Sequence, residues 1–132
     1  MIDKLKKGYN GYELTAQARD NLLKHIVPIH PDVIAHHVTH EYGIYEQLPP
    51  DASSVRVTAI AQDSGVQVAI VKVNGTTTRV YDDSFYHITI SINRADGAKP
   101  QDSNGLIKDS RNWTAVMPFD LDVIPKFISF GG

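Results

Sequence analysis

The chain has 132 residues, 42% of them apolar and 21% charged, with a formal net charge of -2, enough for one domain, 1–132, with a sizeable core but short for two. That charge balance argues against a basic coat for duplex DNA, although it leaves room for a local site that holds one or two nucleotides. The absence of cysteine excludes disulfides, thiolate catalysis and cysteine-based zinc sites. No apolar run reaches the length of a membrane span and no secretory pattern follows Met1-Ile2-Asp3-Lys4-Leu5, so a cytoplasmic protein without a membrane partner is expected.

Residues 1–10 are polar and basic and are expected to fray, with a short extended piece over Gly11–Leu14. Thr15 has the chemistry of a helix N-cap, and Leu14, Ala18, Leu22 and Ile26 recur every four residues, the stripe of a short amphipathic helix that Pro28 and Pro31 end. His36–His40 reads as strand, Glu41–Tyr45 as the loop after it, and Pro49-Pro50 as a surface connection. Val55–Gln62 and Val66–Val73 are rich in β-branched residues and flank a turn at Asp63-Ser64-Gly65, the pattern of a hairpin. Asn74-Gly75 suits a second tight turn, because both residues tolerate positive φ; it leads into an expected strand over Thr76–Tyr81. Tyr86–Ile92 alternates strictly, with His87, Thr89 and Ser91 on one side and Ile88, Ile90 and Ile92 on the other, as a half-buried strand requires. A brief helix capped by Asp102 or Ser103 and a last strand over Val123–Phe130 complete an α+β chain with a mostly antiparallel sheet and one main N-terminal helix.

His87-Ile88-Thr89 repeats the spacing of His37-Val38-Thr39. Six histidines and eight threonines give about 0.4 such matches by chance, so the bare pattern is weak. Strand-like surroundings strengthen it, since His and Thr then share one face in each copy. Opening a cyclic phosphate without a metal needs a base for the attacking water and an acid for the departing ribose oxygen, on opposite sides of phosphorus. Histidine suits both roles because its ordinary pKa lies near neutrality. The two threonine hydroxyls can hydrogen-bond the non-bridging oxygens, where charge accumulates. Which histidine is base and which acid stays open.

At these residues the chain resembles the 2H phosphoesterase superfamily, named for its paired His-x-Thr/Ser motifs. The segment Tyr86–Ile107, with Lys99-Pro100 followed by Ser103-Asn104-Gly105-Leu106-Ile107, is similar to the cyclic phosphodiesterase module of fungal and plant tRNA ligases and their stand-alone relatives. The resemblance implies a two-lobed fold with a central cleft and hydrolysis of 2′,3′-cyclic phosphate ends in RNA processing or repair, with RNA 3′ ends or small cyclic nucleotides as partners and no cofactor. His37 and His87 carry over as the catalytic pair, Thr39 and Thr89 as phosphate contacts. The chain departs from the family in being short, with a mere stub of helix near 103–108.

Tyr42, Tyr45 and Ser91 are further candidates for substrate contact: the two tyrosines because aromatic faces stack on single-stranded bases, Ser91 because it continues the open strand face. Tyr86 falls on the face opposite His87, and Lys72, Arg79, Arg94 and Lys99 read mainly as solvated charges. His36 and His40 invite a metal site, but on a strand they lie about 13 Å apart, and residue 38 is Val where a metalloprotease helix carries Glu, so no metal is expected. Three rival readings remain: a phosphodiesterase for a cyclic oligonucleotide signal or another 3′-5′ or 2′-5′ linkage, an RNA-end binding module without turnover, and a structural β domain.

Overall fold

The structure, a computed structural model, describes residues 6–79 and 81–130. Its elements run β1 (Lys7–Leu14), α1 (Ala16–His25), β2 (Asp32–Val33), β3 (His37–Tyr45), β4 (Val55–Gln62), β5 (Val66–Val73), β6 (His87–Ile92), α2 (Asp102–Ile107), β7 (Thr114–Asp120) and β8 (Val123–Ser129). They form a three-stranded sheet in the order β3-β1-β8 and a five-stranded sheet in the order β2-β6-β5-β4-β7, with antiparallel pairing throughout. The α+β class and the antiparallel sheets expected from the sequence are therefore present. No helix among the described residues is long and apolar enough to cross a membrane.

The Thr15 hydroxyl caps α1 by accepting from the Ala18 amide at 3.1 Å, which satisfies one of the helix's orphan donors. Ala18, Leu22 and Ile26 of the expected stripe are buried, together with Leu14 at the end of β1. They enter a core shared with Tyr12 and Val38 of the small sheet and with Val55, Val71 and Ile88 of the large one. A second core lies on the α2 side of the large sheet, where Ile107 packs with Val68, Ile70 and Ile92. β5 feeds both cores, so its side chains are buried on both faces except at Lys72. That explains an almost continuous apolar run where a one-sided strand would alternate.

Several sequence expectations are corrected. The frayed start is a strand from Lys7 onward, because β1 sits between β3 and β8 and its backbone groups are paired on both edges; residues 1–5 lie outside the described ones. Glu41–Tyr45 is not a loop but the second half of β3, held by β1 despite the left-handed Gly43. The Asn74-Gly75 turn forms, with φ of 52° and 82° and reciprocal backbone bonds between Val73 and Thr76, but the described residues of 76–81 form no continuous strand. Thr76–Tyr81 makes isolated bridges at Thr76 and Thr78, and Val80 lies outside the described residues. β7 went unforeseen: it is a largely exposed edge strand that bulges around Met117-Pro118, with little of the apolar alternation that marks a strand.

The chain crosses between the sheets directly before the first His-x-Thr motif. Ile34 and Ala35 donate their amides to the carbonyls of Ile90 (2.8 Å) and Thr89 (2.9 Å) on β6, and the next carbonyl, of His36, accepts from Leu14 at the end of β1 (2.9 Å). Ala35 makes this exchange in the left-handed region, at φ 44°. β3 then runs beside β1, and Gly11 lies opposite Thr39. A Cβ at Gly11 would collide with the Val38 carbonyl oxygen and lie 3.1 Å from the Thr39 Cα. Gly11→Ala therefore must push β3 away from β1, and urea denaturation should show a loss of about 3 kcal/mol, at the upper end for overpacking; an unchanged midpoint and slope would mean the two strands are less tightly apposed than described.

Candidate active site

Both motifs adopt the same local arrangement. In each, the histidine and threonine are half-buried while the intervening residue (Val38 or Ile88) and the following one (His40 or Ile90) are buried, so both pairs point away from the core that fixes their strands. His37, Thr39, His87 and Thr89 line one cleft of about 710 Å³, together with Tyr9, Tyr42 and Arg79. The cleft is shared by the two sheets, with its far wall made by Pro100, Gln101 and Asn104 at the start of α2.

Each of the four motif side chains has a defined partner. His37 Nε2 is 3.1 Å from Thr39 Oγ1, and His37 Nδ1 is 3.0 Å from His36 Nδ1. His87 Nδ1 lies 2.8 Å from the Phe85 carbonyl oxygen; that oxygen can only accept, so Nδ1 carries the hydrogen and the neutral ring has its lone pair on Nε2. Thr89 Oγ1 is 2.8 Å from Ser103 Oγ of α2. Burial depresses the basicity of both histidines. His37 is pushed down to about 4, with the neighbouring His36 and His87 adding to the effect. His87 is lowered by burial and further by Arg79, against the opposing pull of the Phe85 carbonyl and Asp82. Each histidine is thus neutral at pH 7, and His37 senses His87 across the cleft.

Arg79 is the residue that sequence reasoning undervalued. It is only 6% exposed, its Nε and Nη2 donate to the Asp82 carboxylate at 3.2 and 2.9 Å, and its Nη1 reaches the Thr39 carbonyl at 3.4 Å. It thereby brings a fixed positive charge into the cleft beside both motifs. Nothing in its local sequence distinguishes it from Lys72 or Arg94; Asp82 three residues later was the one available hint. Tyr9 was also missed: its ring stands 5.2 Å from that of His37 and 6.1 Å from that of Tyr42. Tyr42, 68% exposed, is among the residues that line the cleft.

Two candidates do not join the site. Ser91 is fully buried; its hydroxyl donates to Gln67 Oε1 at 2.7 Å and accepts from the His30 amide at 3.2 Å. The cause is a bulge: Gln67 opposes Ser91 while Val68 opposes Thr89, leaving Ile90 as an extra residue on β6. The bulge reverses the alternation beyond it, so Ile88 and Ile90 enter the α1-side core while Ile92 enters the α2-side core. Tyr45 sits at the far end of β3 opposite Lys7 and is not among the cleft residues. His36 and His40 diverge, His36 toward Glu13 and His40 toward the Tyr86 hydroxyl, 2.9 Å away in the core. No group of three or more residues of metal-ligating type comes together among the described residues.

The depressed basicity of His37 links the site to stability. The unfolded chain takes up the proton near pH 6.5 while the folded chain resists it until about pH 4, so the unfolded state binds more protons in that window and stability falls as pH is lowered through it. The loss is at most about 3 kcal/mol after allowance for solvent screening. Chemical denaturation at pH 7 and pH 4 should show wild type losing stability, and His37→Asn losing measurably less; equal losses would show that His37 is not held neutral by the fold.

Comparisons with protein-family models, with curated proteins and with solved structures found no match. The chemistry of the cleft is therefore read from its own side chains.

Proposed function

We propose that the protein is a metal-independent phosphodiesterase of the two-histidine type, hydrolysing 2′,3′-cyclic phosphates on RNA 3′ ends or on small cyclic nucleotides. The observation that carries this reading is the convergence of His37, Thr39, His87 and Thr89, from two different sheets, on one cleft. In-line displacement at phosphorus requires a proton acceptor and a proton donor on opposite flanks, and two imidazoles contributed by facing sheets meet that requirement. The two-lobed arrangement of the 2H phosphoesterases, with a cleft between sheets, agrees with the sheet organisation seen here.

The electrostatics support an anionic substrate. Both imidazoles are held neutral by burial, so a phosphodiester anion entering the cleft supplies the charge that favours protonation of one of them. Arg79 offers a buried cation whose geometry is already fixed by Asp82, and such preorganised charge needs no reorganisation as the transition state forms. The threonine hydroxyls and that guanidinium can receive the non-bridging oxygens. The cleft volume of about 710 Å³ suits one or two nucleotides. The exposed Tyr42 ring beside Tyr9 offers a stacking face for a base, which fits a nucleotide better than a bare phosphate ester.

His37→Ala and His87→Ala should each reduce the rate on a nucleoside 2′,3′-cyclic phosphate by at least about a hundredfold, the usual contribution of an acid or base, with circular dichroism unchanged. Wild-type activity should survive EDTA and trace a bell-shaped pH profile. Full activity in either variant, or loss of activity with EDTA, would overturn the reading. Hydrolysis of a 3′,5′ linkage in preference to the cyclic phosphate would redirect it to another phosphodiester, and binding of RNA ends without any turnover would make the protein a binding module.

A further inference from the structure

The small sheet has one face in the core, through Tyr12, Leu14 and Val38, and another that continues outward from the cleft. Cross-strand partners share a face, so the register places two successive rows of side chains there. Tyr42, Tyr9 and Ile128 make the first row, and Tyr45, Lys7 and Phe130 the second. Phe130 joins its row through a bond from its amide to the Lys7 carbonyl, 3.0 Å long. The rings form one connected group: Tyr9 stands against both His37 and Tyr42, and the Phe130 ring is 5.0 Å from that of Tyr42 and 6.3 Å from that of Tyr9. Tyr42, Tyr45 and Phe130 are all exposed, and a contiguous aromatic patch left open to water marks a binding surface. Two exposed lysines accompany it. Lys7 belongs to the second row, and Lys126 pairs with Gly11 in the row of Thr39, so the two lie on either side of Tyr9. Glu13, the acidic side chain that β1 adds to this face, is at the end away from Phe130 and contacts His36.

We infer that this open sheet face is a binding surface for a single-stranded polynucleotide, carrying the stretch of chain that leads away from the nucleotide in the cleft. Aromatic faces accept bases of any sequence and neighbouring cations accept the phosphates between them, the combination by which proteins hold single strands. The face is also continuous with the cleft, because Tyr9 and Tyr42 belong to both. A strand whose end lies between His37 and His87 therefore meets Tyr42 and then Phe130 as it leaves. A protein partner or a second copy of this chain would use the apolar area but gives no use to Lys7 and Lys126. The surface separates two substrates that the cleft alone treats alike: an oligonucleotide end gains contacts that a free cyclic mononucleotide lacks. The direction of the strand, with its 3′ end in the cleft, rests on the phosphodiesterase reading, whereas the binding surface itself does not.

Two measurements on wild type, Phe130→Ala and Lys126→Gln test the surface. Fluorescence anisotropy with an oligouridylate that ends in a plain 3′-hydroxyl probes binding without turnover. Phe130→Ala should bind at least about fivefold more weakly, the lower end for the loss of one stacked base. Lys126→Gln should flatten the plot of log K against log salt by about 0.7, the share of one phosphate contact. The second measurement compares kcat/KM for an oligouridylate ending in a 2′,3′-cyclic phosphate with that for uridine 2′,3′-cyclic phosphate. Wild type should favour the oligonucleotide by at least about tenfold, within the range for stacked bases. Phe130→Ala should lose most of that preference yet hydrolyse the mononucleotide like wild type, since Phe130 is not a cleft residue. Mononucleotide hydrolysis with no preference for the oligonucleotide, or variants that bind it as wild type does, would overturn the surface and leave the phosphodiesterase reading standing. Oligouridylate binding that depends on Phe130 and Lys126, with neither cyclic phosphate hydrolysed, would support the surface and overturn the phosphodiesterase reading. A wild type that self-associates in sedimentation, with Phe130→Ala monomeric and no RNA bound, would assign the face to a second copy of the chain and overturn the inference.

Discussion

The backbone hydrogen bond from the Ala35 amide to the Thr89 carbonyl, 2.9 Å long, is the constraint on which the site depends. It joins the segment that leads into the first motif to the strand that carries the second. His37 is two residues beyond the donor and His87 two residues before the acceptor, so main chain rather than flexible side chains sets the relative placement of the two imidazoles. A left-handed alanine costs about 1–2 kcal/mol. Ala35 is fully buried in the α1-side core, and the surrounding pairing holds it there: Ile34 to β6 on one side, His36 to the end of β1 on the other. Strain of this kind persists where the surroundings over-determine the backbone, and it is found disproportionately at functional sites.

Given that frame, the electrostatics follow from burial. Packing between the sheets takes both imidazoles largely out of water, and loss of hydration disfavours their charged forms. What keeps the cleft from being merely apolar is Arg79, whose cost of burial is offset by Asp82 and the Thr39 carbonyl. The guanidinium cannot lose its proton, so it contributes positive potential at every accessible pH. The histidines, by contrast, are held neutral by burial and can each take up or release a proton. A permanent cation beside two switchable groups is a sensible division for chemistry on an anion that must also move protons.

Much of this was legible in the sequence, and the failures have specific physical causes. The N-cap and four-residue stripe located α1, and the β-branched runs located β4 and β5 with their bounds, because in those stretches local propensity and tertiary burial agree. The two His-x-Thr motifs identified four of the side chains that line the cleft. Period-two alternation failed at Ser91 because register depends on the neighbouring strand, and the bulge opposite Gln67–Val68 leaves no mark in the sequence of β6 itself. Tyr45 was grouped with Tyr42 by proximity in sequence, but β3 carries it to the rim of the small sheet. Arg79 was invisible for a related reason: its significance lies in residues brought from far along the chain. β7, an exposed edge strand, offers little burial and hence little pattern.

The central claim is that one phosphate sits between the two motifs. A crystal of the protein with a nucleoside 2′,3′-cyclic vanadate, which mimics the five-coordinate phosphorus of the displacement, tests it most directly. The account predicts vanadium in the cleft with His37 and His87 on opposite sides, within hydrogen-bond reach of its two apical oxygens, and the Thr39 and Thr89 hydroxyls on the equatorial ones. Vanadate bound outside the cleft, or held by only one of the two motifs, would contradict it.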